Sequence, residues 1–269
     1  MREQLKWSKL YLFFVFLLLY MPILYLVFFS FNEGGTMNHF TGFTLEHYGS
    51  VLQDRRLIQI VIDTLIIALL SALISTIVGT LGAVGLHYVK SHKTQRMLLN
   101  ANNILLVSPD VIIGSSFLLL FTLVGYQLGF MSVLLSHIAF SIPIVVLMVL
   151  PSLEEMNQSM IKAAQDLGAN WWQILAHVIL PNIIPGILAG FFMAFTYSLD
   201  DFAVTFFVTG NGFTTLSVEI YSRARQGISL EINALSALLF IAALLLVLGY
   251  YYIATYNTRI RKMRRLVTK

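Results

Sequence analysis

The sequence predicts an all-α membrane protein with six transmembrane helices and both termini in the cytoplasm. Three observations carry that expectation. Of 269 residues, 58% are hydrophobic and only 11% are charged, against about 25% charged in ordinary soluble domains. Mean hydropathy is +0.80, so lipid rather than water must solvate much of the surface. The apolar residues fall in runs of about 20, the length that crosses a bilayer, and Lys and Arg cluster on alternate sides of those runs. Six such spans and their loops fill the chain, which is read as a single transmembrane domain over residues 1–269.

The first apolar run, residues 10–31, carries no charge and follows Arg2, Lys6 and Lys9. It is longer than a signal-peptide core and lacks a small-residue cleavage site, so it reads as an uncleaved span. Polar residues follow from Asn32 to Arg56. The second span is expected over 57–88. Its Gly79, Gly82 and Gly85 lie on nearly one face, where small residues let helices approach closely in lipid. A short basic loop holds Lys90, Lys93 and Arg96. No Asp, Glu, Lys or Arg occurs from 111 to 153, which is too long for one span. Gly125, Gln127 and Gly129 mark a tight turn, giving a third span at 105–124 and a fourth at 130–150. After a polar stretch, the fifth span is expected at 183–208. A loop with Glu219, Arg223, Arg225 and Glu231 leads to a sixth at 235–256. The tail holds Arg259, Arg261, Lys262, Arg264, Arg265 and Lys269.

With the N-terminus inside, 13 of the 17 Lys and Arg fall in cytoplasmic segments. Only Arg55, Arg56, Arg223 and Arg225 fall outside, which is the positive-inside bias. The absence of cysteine excludes disulfides and thiolate metal sites. No lysine follows a glycine, so the Gly-Lys-Ser/Thr end of a phosphate-binding loop does not occur, and neither does His-Glu-x-x-His or Gly-x-Ser-x-Gly. The expected molecule is therefore not an enzyme and holds no cofactor of its own.

The loop at about 151–182 is the most informative stretch. Ser152 and Glu155 have capping-box spacing and would start a helix. Gly168 can take the left-handed conformation that ends it. Asn170 is a candidate N-cap for a second short helix, which Pro181 would limit. On spacing alone this is either an amphipathic surface loop or a docking surface, smooth at Ala163 and Ala164. The segment Lys162-Ala163-Ala164, Gly168, then Ile179-Leu180-Pro181 resembles the Glu-Ala-Ala loop of ABC-importer permeases, with Lys162 in place of the usual Glu. That resemblance implies the type I, MetI-like permease fold. It also implies that the loop couples to a separate cytoplasmic ATPase, through Lys162, Ala163, Ala164, Gly168, Leu180 and Pro181.

A narrower resemblance covers nearly the whole chain. Ser198-Leu199-Asp200-Asp201-Phe202, Phe207-Val208-Thr209-Gly210, Ile220-Tyr221-Ser222, Glu231-Ile232-Asn233-Ala234-Leu235, Ser108-Pro109-Asp110, Leu128-Gly129-Phe130 and Ser136-His137 are similar to the spermidine/putrescine permease family. That implies polyamine import across the bacterial inner membrane. The implied partners are a second permease subunit, two copies of an ATP-binding subunit that hold ATP and Mg, an extracytoplasmic polyamine-binding protein and membrane lipid, with no nucleic acid. Alternatives are a permease for another small substrate or an ion-coupled transporter, though the latter predicts repeats and paired intramembrane charges.

Asp200 and Asp201 are placed late in the fifth span. A carboxylate at a bilayer centre costs about 2.5–3.5 kcal/mol by insertion scales and defaults to a functional role. Successive helix residues point in different directions, so one acid is expected to line a pathway and the other to pair with a neighbouring helix. Packing or interfacial roles are the plainer readings. Tyr197 and Phe202 flank the acids and could add cation–π contact. Asp110 is read as an acid at a helix start, Asp63 as interfacial, and His137 as a satisfied core histidine rather than a metal ligand. Trp171 and Trp172 would anchor the second loop helix at the bilayer surface or pack against the ATPase.

Overall fold

A computed structural model describes residues 2–35, 37–227 and 230–245. Among them the helices are α1 (Arg2–Phe29), α2 (Glu46–Gln53), α3 (Arg55–His87), α4 (His92–Val107), α5 (Asp110–Leu123), α6 (Phe130–Glu154) and α7 (Gln158–Asp166). They continue with α8 (Trp171–Asn182), α9 (Ile184–Asp200), α10 (Ala203–Val208), α11 (Leu216–Gln226) and α12 (Leu230–Leu245). The described residues form no strand, only an isolated bridge between Asn32 and Phe43. The basic tail and the end of the sixth expected span lie outside the described residues.

The described residues fall into two compact units, one drawn from 1–58 and 220–269 and the other Gln59–Glu219. In the first, the ring of Tyr20 on α1 lies 6.5 Å from that of Phe240 on α12. The polar segment after α1 is tied by Asn32, whose side chain donates to the His39 carbonyl (2.9 Å) and accepts from Thr41 N–H (2.8 Å). Arg223 reaches Asp54 at 3.2 Å and Glu231 at 3.5 Å. The Leu57 backbone N–H, helped by Arg223, holds the Asp54 carboxyl below the usual carboxylate range. The sequence reads residues around Glu219 as loop, whereas α11 is an amphipathic helix there.

In the second unit, α9 packs along α6, and α10 packs against α5. One cluster joins Val145, Val146, Val149 and Leu153 of α6 to Ala83 and Val84 of α3 and to Ile161, Ile174, Ile179 and Ile183. A second cluster joins Ile113 and Phe121 of α5 to Val133 and Phe140 of α6 and to Val204 and Val208 of α10.

Among the described residues, three helices can cross a membrane by length and composition: the Lys9–Phe29 part of α1, α3 and α6. Two bent pairs raise the number to five. In the first pair, α4 and α5 meet at 101°. The expected third span runs straight through this corner. Pro109 has no N–H, and the residue before a proline is driven from helical to extended geometry; Ser108 sits at φ −71, ψ 138. Alone, α5 is only about 21 Å long at 1.5 Å per residue, short of a hydrocarbon core of about 30 Å. In the second pair, α8 and α9 meet at 71°, and Leu175–Ile179 is a π-helical turn just before Pro181. The expected fifth span is also interrupted at Asp201–Phe202. The Ser152–Glu155 pattern starts no helix: α6 runs on to Glu154 because Val149 and Leu153 are buried, and α7 begins after Asn157, whose side chain caps Ser159 N–H at 3.0 Å.

Close helix contacts locate the small residues. A Cβ on Gly79 would meet the Val145 side chain of α6 at 2.7 Å, whereas Gly82 makes an ordinary contact and Gly85 faces open space. Gly114 of α5 is packed about as closely, and against backbone as well as a side chain. Its Cβ would meet the Phe207 ring at 2.8 Å and the Ala203 and Val204 backbone at 3.0 Å. Overpacking of that kind costs about 1–3 kcal/mol. Gly114→Ala should therefore lower the thermal unfolding midpoint in detergent, while Gly85→Ala, a helical site with open space, should not lower it and gains helix propensity; a midpoint for Gly114→Ala as high as that for Gly85→Ala would contradict the close packing of α5 on α10.

Candidate functional site

Both surfaces that carry the residues singled out from sequence belong to the Gln59–Glu219 unit. The first is the helix–turn–helix of α7 and α8. Ile161 anchors α7 in the first apolar cluster, and Ile174, Leu175 and Ile179 anchor α8 there. Between them, Gly168 has φ +80. Its N–H bonds the Gln165 carbonyl (2.9 Å), and Ala169 N–H bonds the Ala164 carbonyl (3.0 Å), the paired closure of a left-handed helix end. No atom lies within 4 Å of where a Cβ would stand, so backbone conformation, not space, requires the glycine. Asn170 accepts from Gln173 N–H (2.9 Å), and the Gln173 side chain accepts from Asn170 N–H (2.8 Å). Helix starts and stops here follow the sequence reading from Gly168 onward.

The outer face of this motif displays Lys162, Ala163, Gln165 and Asp166, with Leu167 89% and Trp172 73% exposed. Gly168 and Pro181 are also exposed, while Ala164 and Leu180 turn partly inward onto the first cluster. The Trp171 ring meets Tyr88, just past α3, edge-on at 5.0 Å. The motif is thus one apolar piece with the ends of α3 and α6.

The second surface surrounds the break between α9 and α10. A pocket of about 340 Å³ is lined by Asp110, Thr196, Tyr197, Asp200, Asp201, Phe202 and neighbours. Asp110 is the first residue of α5, so its charge faces the positive end of that helix, and it accepts from the Tyr197 hydroxyl at 3.1 Å. Phe202 lies 5.4 Å from Phe206, centre to centre. Asp200 is exposed, with no hydrogen bond or ion pair among the described residues. Asp201 differs. Its side chain is only 5% exposed, and its carboxylate accepts from Val204 N–H (3.3 Å), Thr205 N–H (2.8 Å) and the Thr205 hydroxyl (2.7 Å). It therefore caps α10 at the pocket's edge, while Asp200 lines the pocket with its carboxylate exposed.

His137, fully buried on α6, is a satisfied core histidine with unexpected partners. Nδ1 lies 2.7 Å from Ser198 Oγ on α9, and Nε2 lies 2.8 Å from Thr205 Oγ1 on α10. Nε2 is also 3.4 Å from Asp201 Oδ2. The Thr205 proton goes to Asp201, so Nε2–H donates to Thr205 and Nδ1 can accept from Ser198. The Ser71 hydroxyl of α3 donates to Ser198 at 2.9 Å. The sequence holds one hint of this network, Thr205 four residues after Asp201 at a helix start. Nothing local links either to His137.

Comparison with known proteins places this architecture. Residues 75–262 match the family model described as binding-protein-dependent transport system inner membrane component. The chain is 36% identical over 245 residues to the spermidine/putrescine transport system permease protein PotC of Escherichia coli (strain K12), covering 91% of this chain and 92% of that protein. It is 34% identical over 239 residues to the putrescine transport system permease protein PotI of the same organism, covering 87% and 85% respectively. A solved chain of a bacterial ABC transporter involved in import of the acidic polysaccharide alginate superposes with TM-score 0.73 at 19% identity, covering 94% of this chain and 95% of that one. A chain of the MetNI methionine ABC transporter superposes with TM-score 0.61 at 18% identity, covering 76% and 99%. The fold is that of ABC-transporter membrane subunits, and the chain belongs to the family of binding-protein-dependent transport system inner membrane components.

Proposed function

We propose that this chain is a permease subunit of an ATP-driven polyamine importer. The observation that carries the reading is the pocket at the α9–α10 break, where the carboxylates of Asp110 and Asp200 stand beside the rings of Tyr197 and Phe202. Carboxylates attract ammonium groups and aromatic faces accept them, so the wall suits a flexible polycation. The names of the PotC and PotI relatives support the same substrate class.

The chain is half of the pathway. Six spans cross the membrane with both termini cytoplasmic, and a second permease subunit completes the channel. The bent pairs α4–α5 and α8–α9 serve as the third and fifth spans. Non-helical backbone at membrane depth is tolerated where it is buried in protein or lines a wet cavity, and the break at Asp201–Phe202 lies on the pocket wall with the Asp201 side chain 5% exposed. The α7–α8 face with Lys162, Ala163, Gly168 and Leu167 docks on a separate ATPase, of which two copies bind ATP and Mg. Closure of the ATPase pair moves α7 and α8, and their shared apolar cluster with α3 and α6 passes the displacement to the spans. An extracytoplasmic binding protein delivers the polyamine. The subunit itself catalyses no reaction.

The test is reconstitution of the full complex in proteoliposomes, with ATP inside and loaded binding protein outside. ATP-dependent uptake of labelled spermidine or putrescine is expected. Uptake of neither, with transport of a neutral or acidic solute instead, would refute the substrate assignment.

A further inference from the structure

We propose that His137 is a positioning residue for the transported polyamine: it ties both sides of the Asp201–Phe202 break to α6 and so fixes where Asp200 stands on the pocket wall. The inference rests on the reading of that pocket as part of a polyamine path.

The geometry is specific. A broken helix has two ends that can swing independently unless something spans them. His137 bonds Ser198, three residues before the break, through one ring nitrogen, and Thr205, three residues after it, through the other. Both bonds are short and the ring is fully buried, so water cannot replace them. Low local dielectric strengthens such a network and makes a missing partner costly. Asp201 is held inside by Thr205 and the start of α10. The adjoining Asp200 has no hydrogen bond or ion pair among the described residues, so its direction follows from how α9 is held at its last turn. Ser71 extends the tie to α3 through Ser198. The histidine thus links three helices at the point where one carboxylate is held inward and the next faces the pocket.

A packing residue and a positioning residue make different predictions. Loss of packing reduces how much complex assembles; loss of position changes which cation is preferred. The ratio of spermidine to putrescine uptake is independent of the amount of complex. In the reconstituted full complex, His137→Leu removes both bonds, His137→Gln keeps a donor and an acceptor, and Thr205→Val removes one hydroxyl at nearly constant volume. We expect His137→Leu and Thr205→Val to shift the uptake ratio by about tenfold, on the scale of one lost buried hydrogen bond, and His137→Gln to restore it to near wild type. A wild-type ratio in His137→Leu overturns the proposal, as does a wild-type ratio in Thr205→Val should the leucine variant fail to assemble. An altered ratio in Asp200→Asn with unaltered His137 and Thr205 variants overturns the clamp and leaves the polyamine reading standing. Absence of spermidine and putrescine uptake by the wild type overturns both.

Discussion

Gly168→Asp should abolish ATP-driven uptake while the chain still enters the membrane in normal amount. At φ +80 a side chain bearing a Cβ costs roughly 1–2 kcal/mol, and a carboxylate at a helix C-terminus adds about 0.3–1 kcal/mol against the dipole. The two bonds that close α7 onto Gly168 and Ala169 would then yield to another geometry. What moves is Leu167, 89% exposed, and with it the entry of α8. None of the large buried residues is touched: Ile161 and Ile174 keep their places in the cluster with Leu153 and Val149. The damage is therefore to the outward face, not to the bundle. Gly168→Asn is the informative control, since asparagine enters the left-handed region more readily, and it should retain most activity. Membrane content is read by blotting and uptake in proteoliposomes. Normal uptake in the aspartate variant would remove α7 from the coupling path.

Some of this architecture is written in local sequence and some is not. The hairpin between α5 and α6 rests on Gly125, at φ +67, in an otherwise uncharged stretch, so turn chemistry alone reveals it. The same holds for Gly168 and for the Asn170–Gln173 cap, whose signals act within a few residues. The breaks are harder. Around Ser108–Pro109 the chain stays apolar on both sides, so a hydropathy window carries the third span through a corner of 101°. Pro109 was the available signal, and it acts by changing the preferred geometry of its neighbour, not by changing hydropathy. The break at Asp201 has no proline. Residues 203–208 are as apolar as a continuous span, and the side chain that spans the interruption is His137, more than sixty positions earlier. Tertiary contact likewise defeated the Ser152–Glu155 cap: Leu153 is fully buried, and burial of that turn outweighs a cap worth about 1 kcal/mol. Asp200 and Asp201 differ not as neighbours on one helix, since α9 ends at Asp200 and Asp201 is extended, but because Thr205 and His137 hold Asp201.

Adjacent acids with opposite duties should fail in opposite ways. Asp200 has no bonding partner among the described residues, so Asp200→Asn should assemble normally and unfold at the wild-type temperature. Its loss is felt by the cation. A unit charge pair about 4 Å apart is worth ~4 kcal/mol at an effective dielectric near 20, and competing water and Asp110 reduce what one substitution removes. A drop in Vmax/KM for spermidine of roughly ten- to a hundredfold, or about 1.4–2.7 kcal/mol, is the expected result. Asp201→Asn should do the reverse. The carboxylate accepts from Val204 N–H, Thr205 N–H and the Thr205 hydroxyl, and an amide offers one acceptor oxygen in place of two. Hydrogen bonds to a charged group contribute about 1.5–3 kcal/mol each, so the start of α10 loosens and less complex should be recovered. Transport per assembled complex and yield of assembled complex separate the two outcomes. Wild-type Vmax/KM in Asp200→Asn would take that carboxylate off the path. Full assembly of Asp201→Asn with a transport defect as large as that of Asp200→Asn would mean that both acids meet the substrate, and that the cap on α10 is incidental.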